Sequence, residues 1–202
     1  MRLLALDIAT VTGYAVFTDG VLSSFGSVTI NKKNLISLPY PQDVANIAYQ
    51  IATLVWNICL KETPEIIVVE DTNPGGRAGR RSQKMLEFIH AYFLERAAAM
   101  DVRYISTRQW RDTDLNIKID EKDRSKNKKV NEIRAKARKS TSSKKEERML
   151  INKLKKEAGI GGKVNKKHAT IQWVNATYNL SLTATQDDIA DAIAIGSAFL
   201  KH

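Results

Sequence analysis

The chain has 202 residues, 32 of them Lys or Arg and 22 Asp or Glu, so its formal charge is +10. With 43% hydrophobic and 27% charged residues it reads as one globular domain, long enough to bury a stable core, and neither disordered nor fibrous. The lone cysteine, Cys59, excludes an internal disulfide framework and a Cys-rich zinc site, and no apolar run approaches the roughly 20 residues that span a bilayer. Asp7 breaks the N-terminal apolar stretch and no signal-peptide h-region follows, so the expectation is a soluble, cytoplasmic chain with no membrane partner.

The first thirty residues predict strands. Leu3 to Leu6 is a continuous apolar run, Gly13 to Phe17 follows after a short link, and Asp19-Gly20 is a hairpin signal before Val21 to Ile30. An antiparallel meander is the simplest arrangement. Residues 42–61 carry apolar side chains at spacings of three and four (Val44, Ile47, Ile51, Leu54, Val55, Ile58), which predicts a helix with Cys59 as a small core residue. Pro64 separates it from Ile66 to Val69, a β-branched strand suited to burial on both faces. A loop at Asn73-Pro74-Gly75-Gly76 precedes a helix over about 80–100, in which His90 is a structural or surface residue. Val102 to Ser106 is the last short strand, and Thr107 is placed to cap a helix from Arg108.

The charge is concentrated further along the chain. Residues 118–167 hold 19 Lys and Arg against 7 Asp and Glu, a net of +12, while the remainder of the chain is −2. Such a block marks either a polyanion contact or a solvated face. Ser143-Lys144-Lys145-Glu146 is a capping-box pattern, and Gly159 suits a helix stop. No large apolar residue lies between Arg134 and Arg148, so this stretch is expected to be a solvated helical hairpin or disordered when free. Helices at 166–178 and 186–200 complete the order, and Trp56, Trp110 and Trp173 suit a core better than a stacking platform. This order predicts an α/β fold: a mixed five-stranded sheet, its first three strands antiparallel, flanked by helices and carrying a basic helical insertion at about 112–160.

Four carboxylates stand out. Asp7 ends a strand that is apolar from Leu3 onward, and Glu70 ends Ile66 to Val69; each also has an ordinary explanation as a strand-end acid. Asp188 and Asp191 share one face of the last helix. Helix-dipole and capping effects, with Thr185 three residues before Asp188, explain Asp187 and Asp188. They do not explain Asp191, a turn further in among Ile189, Ala190, Ala192 and Ile193, which calls for a partner. Together the acids have the spacing and oxygen-only chemistry of a divalent-metal site for Mg²⁺ or Mn²⁺. Two such ions can drive phosphodiester hydrolysis.

At these residues the sequence resembles the RuvC family of Holliday junction resolvases, within the ribonuclease H-like superfamily. The segments that carry the likeness are Leu4-Ala5-Leu6-Asp7, Thr12-Gly13-Tyr14-Ala15-Val16, Ile67-Val68-Val69-Glu70, Thr107-Arg108-Gln109-Trp110 and Asp188-Ile189-Ala190-Asp191. The resemblance covers about 150 residues. It implies a ribonuclease H-like fold and a homodimer that cuts four-way DNA junctions, with two Mg²⁺ ions per site, Mn²⁺ substituting, and no nucleotide cofactor. It also implies that Asp7 bridges the ions while Glu70, Asp188 and Asp191 complete their coordination, and that Lys167, or else Lys166, meets the scissile phosphate. Arg77, Arg80, Arg81 and Lys163, with Lys166 and Lys167, are the expected DNA contacts, and His168 is placed to approach phosphate. The dimer contact would use the helix at 80–100, where Ala97-Ala98-Ala99 permits close approach.

Two departures stand beside the likeness. The loop after Glu70 lacks the aromatic residue that bacterial members place against the junction bases, and the basic insertion is longer, as in phage-type relatives. Broader branched-DNA cleavage fits both. The competing readings are a non-catalytic nucleic-acid-binding protein, which has no need of four clustered acids, and a ribonuclease H acting on RNA–DNA hybrids. An actin-like or sugar-kinase-like ATPase half would need a second Gly-rich phosphate loop and a larger chain.

Overall fold

In the computed structural model the chain is described at residues 1–31, 38–72, 79–161 and 166–202, with Arg80 described in its backbone only. Three strands open it: β1 (Arg2–Asp7), β2 (Val11–Thr18) and β3 (Val21–Thr29), paired antiparallel as a meander. The β2–β3 turn uses positive φ at both Asp19 (51°) and Gly20 (80°), the geometry that matches strand twist and the reason for an Asp-Gly pair there. After helix α1 (Gln42–Glu62), β4 (Ile66–Glu70) pairs parallel to β1. Helix α2 (Arg80–Arg96) then leads to β5 (Asp101–Ile105), parallel to β4, and the sheet order is β3-β2-β1-β4-β5.

Alternation sorts the sheet into two faces. Leu4 and Leu6 of β1 and Ile8 just after it, with Ile67 and Val69, pack into one core with α1 and α2 through Ile51, Val55, Ile89 and Phe93. The opposite face carries Ala5, Phe17 and Gly13 and receives helix α6 (Asp187–Phe199). Ten consecutive residues of α6, Ile189 to Ala198, are buried, as expected of a helix apolar all round. Helix α5 (Lys166–Tyr178) adds Tyr178, whose hydroxyl lies 2.7 Å from Ser197 Oγ and whose ring meets Phe17 edge-on.

The remaining helices belong to a second compact unit, Ile117–Ala169, the first being Met1–Asn116 with Thr170–His202. The second unit is a helical hairpin of α3 (Glu121–Ser140) and α4 (Lys144–Glu157). Asp120 caps α3 by accepting from the Asp123 amide at 2.6 Å. The Ser143–Glu146 capping box is formed, and Gly159 (φ 61°) closes α4, with its amide on Lys156 O and that of Ile160 on Lys155 O. The stretch without large apolar residues still packs, through the fully buried Ala137.

Three expectations need correction. The helix predicted over 80–100 ends at Arg96, and of Ala97-Ala98-Ala99 the first is buried in the chain's own core while the other two are exposed. Thr107 caps nothing: it is helical itself and its hydroxyl turns elsewhere, ahead of a π-helical turn, Arg108–Asp114. Thr185 does not cap α6 either; the N-cap is Gln186, whose side chain accepts from the Thr183 amide at 3.0 Å.

Candidate active site

The site forms where β1 and β4 end. Their parallel register runs Leu3–Ile66, Leu4–Ile67, Ala5–Val68 and Leu6–Val69, which sets Asp7 level with Glu70 on adjacent strands. Neighbouring strands lie about 4.8 Å apart. Both acids fall on the α6 face, since Ala5, two residues before Asp7, meets α6 there and Val68 is level with Ala5.

Gly13 brings the third acid in. It pairs with Asp7 across the β1–β2 ladder, and a Cβ built on it would stand 1.9 Å from the Asp188 carbonyl oxygen. Only a residue without a side chain lets the first turn of α6 rest on that pair. Thr12, fully buried, ties the preceding turn by donating to Ala9 O at 2.8 Å and accepting from its amide at 3.3 Å. Asp7, Glu70 and Asp188 are half-buried, and Asp187 sits beside Asp188 in the first turn of α6.

Asp191 is placed differently. It is 3% exposed, and its Oδ1 accepts from Arg111 Nη2 at 3.1 Å. Arg111, itself 9% exposed, stacks on the fully buried Trp110 with its guanidinium carbon 4.2 Å from the ring centre. The partner that Asp191 called for is therefore an arginine of the π-helical turn. Thr107 acts similarly at the other end of the site, donating its hydroxyl to Glu70 Oε1.

Neither contact was legible in the sequence. Arg111 lies in a charged run, and a π-helical turn, whose Leu115 amide reaches back to Trp110 O at 3.2 Å, shifts side chains off the 3.6-residue pattern. Thr107 had a competing explanation as a cap.

The expected cationic contacts divide. Lys166 and Lys167 are exposed in the first turn of α5, which holds no acid, so like charge accumulates at the positive end of a helix. His168 is exposed beside them. Arg81 is exposed and pairs with Asp43 at the start of α1. Arg80 opens α2, while Arg77 and Lys163 lie outside the described residues.

No family model matches the sequence, and no curated protein is similar to it. Among solved structures, a Thermus thermophilus RuvC structure aligns over 98% of this chain and 92% of its own, with 14% identity and a TM-score of 0.53. The chain has the fold of RuvC, a ribonuclease H-like fold. The yeast mitochondrial Holliday junction resolvase Ydc2 aligns over 99% of this chain and 78% of its own, at 14% identity and a TM-score of 0.47. A fowlpox virus resolvase in complex with Holliday junction DNA aligns over 100% and 97%, at 14% identity and a TM-score of 0.43.

On this RuvC-like sheet the acids are oxygen donors at two strand ends and one helix start, a donor chemistry that fits a hard divalent cation. Among the described residues, no group of three or more His, Cys, Asp or Glu side chains is arranged to hold a metal ion. Glu70 accepts from Thr107, and Asp191 from Arg111. Among the described residues, no helix is long and apolar enough to cross a membrane.

Proposed function

We propose that the chain is a metal-dependent, structure-selective endodeoxyribonuclease that resolves four-way DNA junctions by paired phosphodiester hydrolysis, as a homodimer, in recombination, repair or phage genome processing. The observation that carries this reading is that Asp7 and Glu70 each directly follow the last pair of the β1–β4 ladder, Leu6–Val69, with the start of α6 seated on Gly13 opposite Asp7. The fold shared with the Thermus thermophilus RuvC structure supports it. Asp7, Glu70, Asp188 and Asp191 would hold two divalent ions, Mg²⁺ or Mn²⁺. When bound, such ions supply Lewis-acid stabilisation of the phosphate oxygens and an activated water.

The chain's own residues do the rest. Gly13 and Thr12 hold the strand ends and α6 together, Thr107 orients Glu70, and Arg111 balances the charge of Asp191. Lys167, with Lys166, would meet the scissile or an adjacent phosphate at the positive start of α5, where an anion relieves the accumulated charge. The +12 segment supplies the wider polyanion grip.

The test incubates the purified protein with labelled four-way junction, flap, duplex and RNA–DNA hybrid, each with Mg²⁺, Mn²⁺ or EDTA. Paired symmetric nicks in the junction, lost in EDTA, are expected. Cleavage of the hybrid alone would instead make it a ribonuclease H, and binding without cutting in every metal would make it a non-catalytic binder.

A further inference from the structure

The acidic strand ends have an underside. The β1–β4 ladder runs only to Leu6–Val69, so Asp7 and Glu70 are not paired with each other and their spacing depends on what supports the chain beneath them. Because side chains alternate, the residues next to the acids point to the opposite face of the sheet. Ile8 follows Asp7 and is buried in the core with α1 and α2, Asp71 follows Glu70, and Tyr104 precedes Ile105, the residue paired with Glu70.

One side chain, His90 of α2, reaches this underside, against Tyr104 and the Ile8 backbone. It is 7% exposed, its Nδ1 stands 3.2 Å from the Tyr104 hydroxyl, it hydrogen-bonds the backbone of Ile8, and the charge of Asp71 acts on it. The rings of His90 and Tyr104 lie 5.9 Å apart between centroids. Asp71 in turn donates its amide to Ile105 O at 2.9 Å, which ties the end of β4 to β5.

A buried imidazole is costly unless both nitrogens are satisfied. Burial pushes its pKa below the ordinary 6.5, so at neutral pH the ring is uncharged, with one donor and one acceptor nitrogen. The Ile8 carbonyl can only accept, so it takes the donor, and the Tyr104 hydroxyl donates to the other nitrogen. An apolar side chain would fill the same space without these demands; what the ring adds is direction.

We propose that His90 is a positioning residue for the acidic site, clamping the ends of β1 and β5 from beneath, and β4 through the Asp71–Ile105 bond, so that Asp7 and Glu70 keep the spacing to share a divalent ion. The role in cleavage rests on the nuclease reading above; the clamp itself does not.

The test compares the full chain with its His90→Phe, His90→Gln and Tyr104→Phe variants by metal-free hydrogen exchange and by junction cleavage. In His90→Phe, exchange is expected to rise in peptides covering 7–10, 70–72 and 104–107 while α1 and the β2–β3 hairpin keep wild-type protection. Its kcat should fall about tenfold to a hundredfold, the cost of displacing catalytic groups by a fraction of an ångström to about one ångström, with junction KM within about twofold. His90→Gln, which keeps a donor and an acceptor, should recover most of both. Tyr104→Phe should shift in the same direction by less, and decides the matter if His90→Phe fails to fold. Unchanged exchange at the strand ends, a rise spread over the whole core, or a glutamine as damaging as phenylalanine overturns the proposal. A wild-type chain that cuts no nucleic acid defeats the nuclease reading alone, and the exchange arm still decides the clamp.

Discussion

The acid-bearing body and the basic hairpin are held by different physics. In the body, Leu3 to Leu6 are wholly buried, α6 is buried along ten residues, and glycines at 13 and 196 let backbone and rings approach closer than a Cβ permits. In the hairpin, α3 buries Asn127, Val130 and Ala137, α4 buries nothing, and Met149 is 65% exposed. There the structure leans on caps, a Schellman stop and ion pairs such as Arg138–Glu147 at 3.1 Å. The charge is handled differently too. Body acids are answered from within by Thr107 and Arg111, whereas most cations of the hairpin face solvent. Substitutions in the body should therefore act globally or on chemistry, and those in the hairpin locally or on binding.

The sharpest break is Asp7→Asn or Glu70→Gln. Junction cleavage should fall by at least about a thousandfold, some 4 kcal/mol in the barrier, with binding and thermal midpoint retained. Loss of binding along with cutting would make the acids structural.

Next is Arg111→Met, which removes the guanidinium from the buried Asp191 carboxylate. Denaturant unfolding should show a loss of about 3–5 kcal/mol for the body as a whole. A smaller change would mean that the pair contributes little to the body.

Neutralising Lys122, Lys126, Lys129 and Lys136 to Gln should weaken binding to every DNA form alike. The slope of log K against log salt should shrink by up to about 0.9 per lost phosphate contact. An unchanged slope would assign the hairpin another task.

The smallest effect expected is that of Ser143→Ala, about 1 kcal/mol, confined to the hairpin. Amide exchange in α4 should rise while α6 keeps its protection. A drop in the body's midpoint would erase the contrast between the two regions.

Much of this protein is legible in its amino-acid order alone. Five strands and their neighbouring helices follow from apolar runs, alternation and turn residues, because these report local conformation and burial directly. The capping box at Ser143 and the stop at Gly159 are readable for the same reason. Asp7, Glu70 and Asp191 stand out because an acid next to a buried run must be answered by something.

What answers them is decided only in three dimensions. Arg111 is 80 residues from Asp191 in sequence and Thr107 is 37 from Glu70, and no local pattern records which distant group meets a buried charge. The same holds for Gly13 beneath Asp188 and for His90 beside Tyr104. Sequence specifies which groups need partners, since desolvation is a property of the residue and its neighbours along the chain. Tertiary packing chooses the partners, since hydrogen bonds and close contacts depend on distances that only the folded sheet sets.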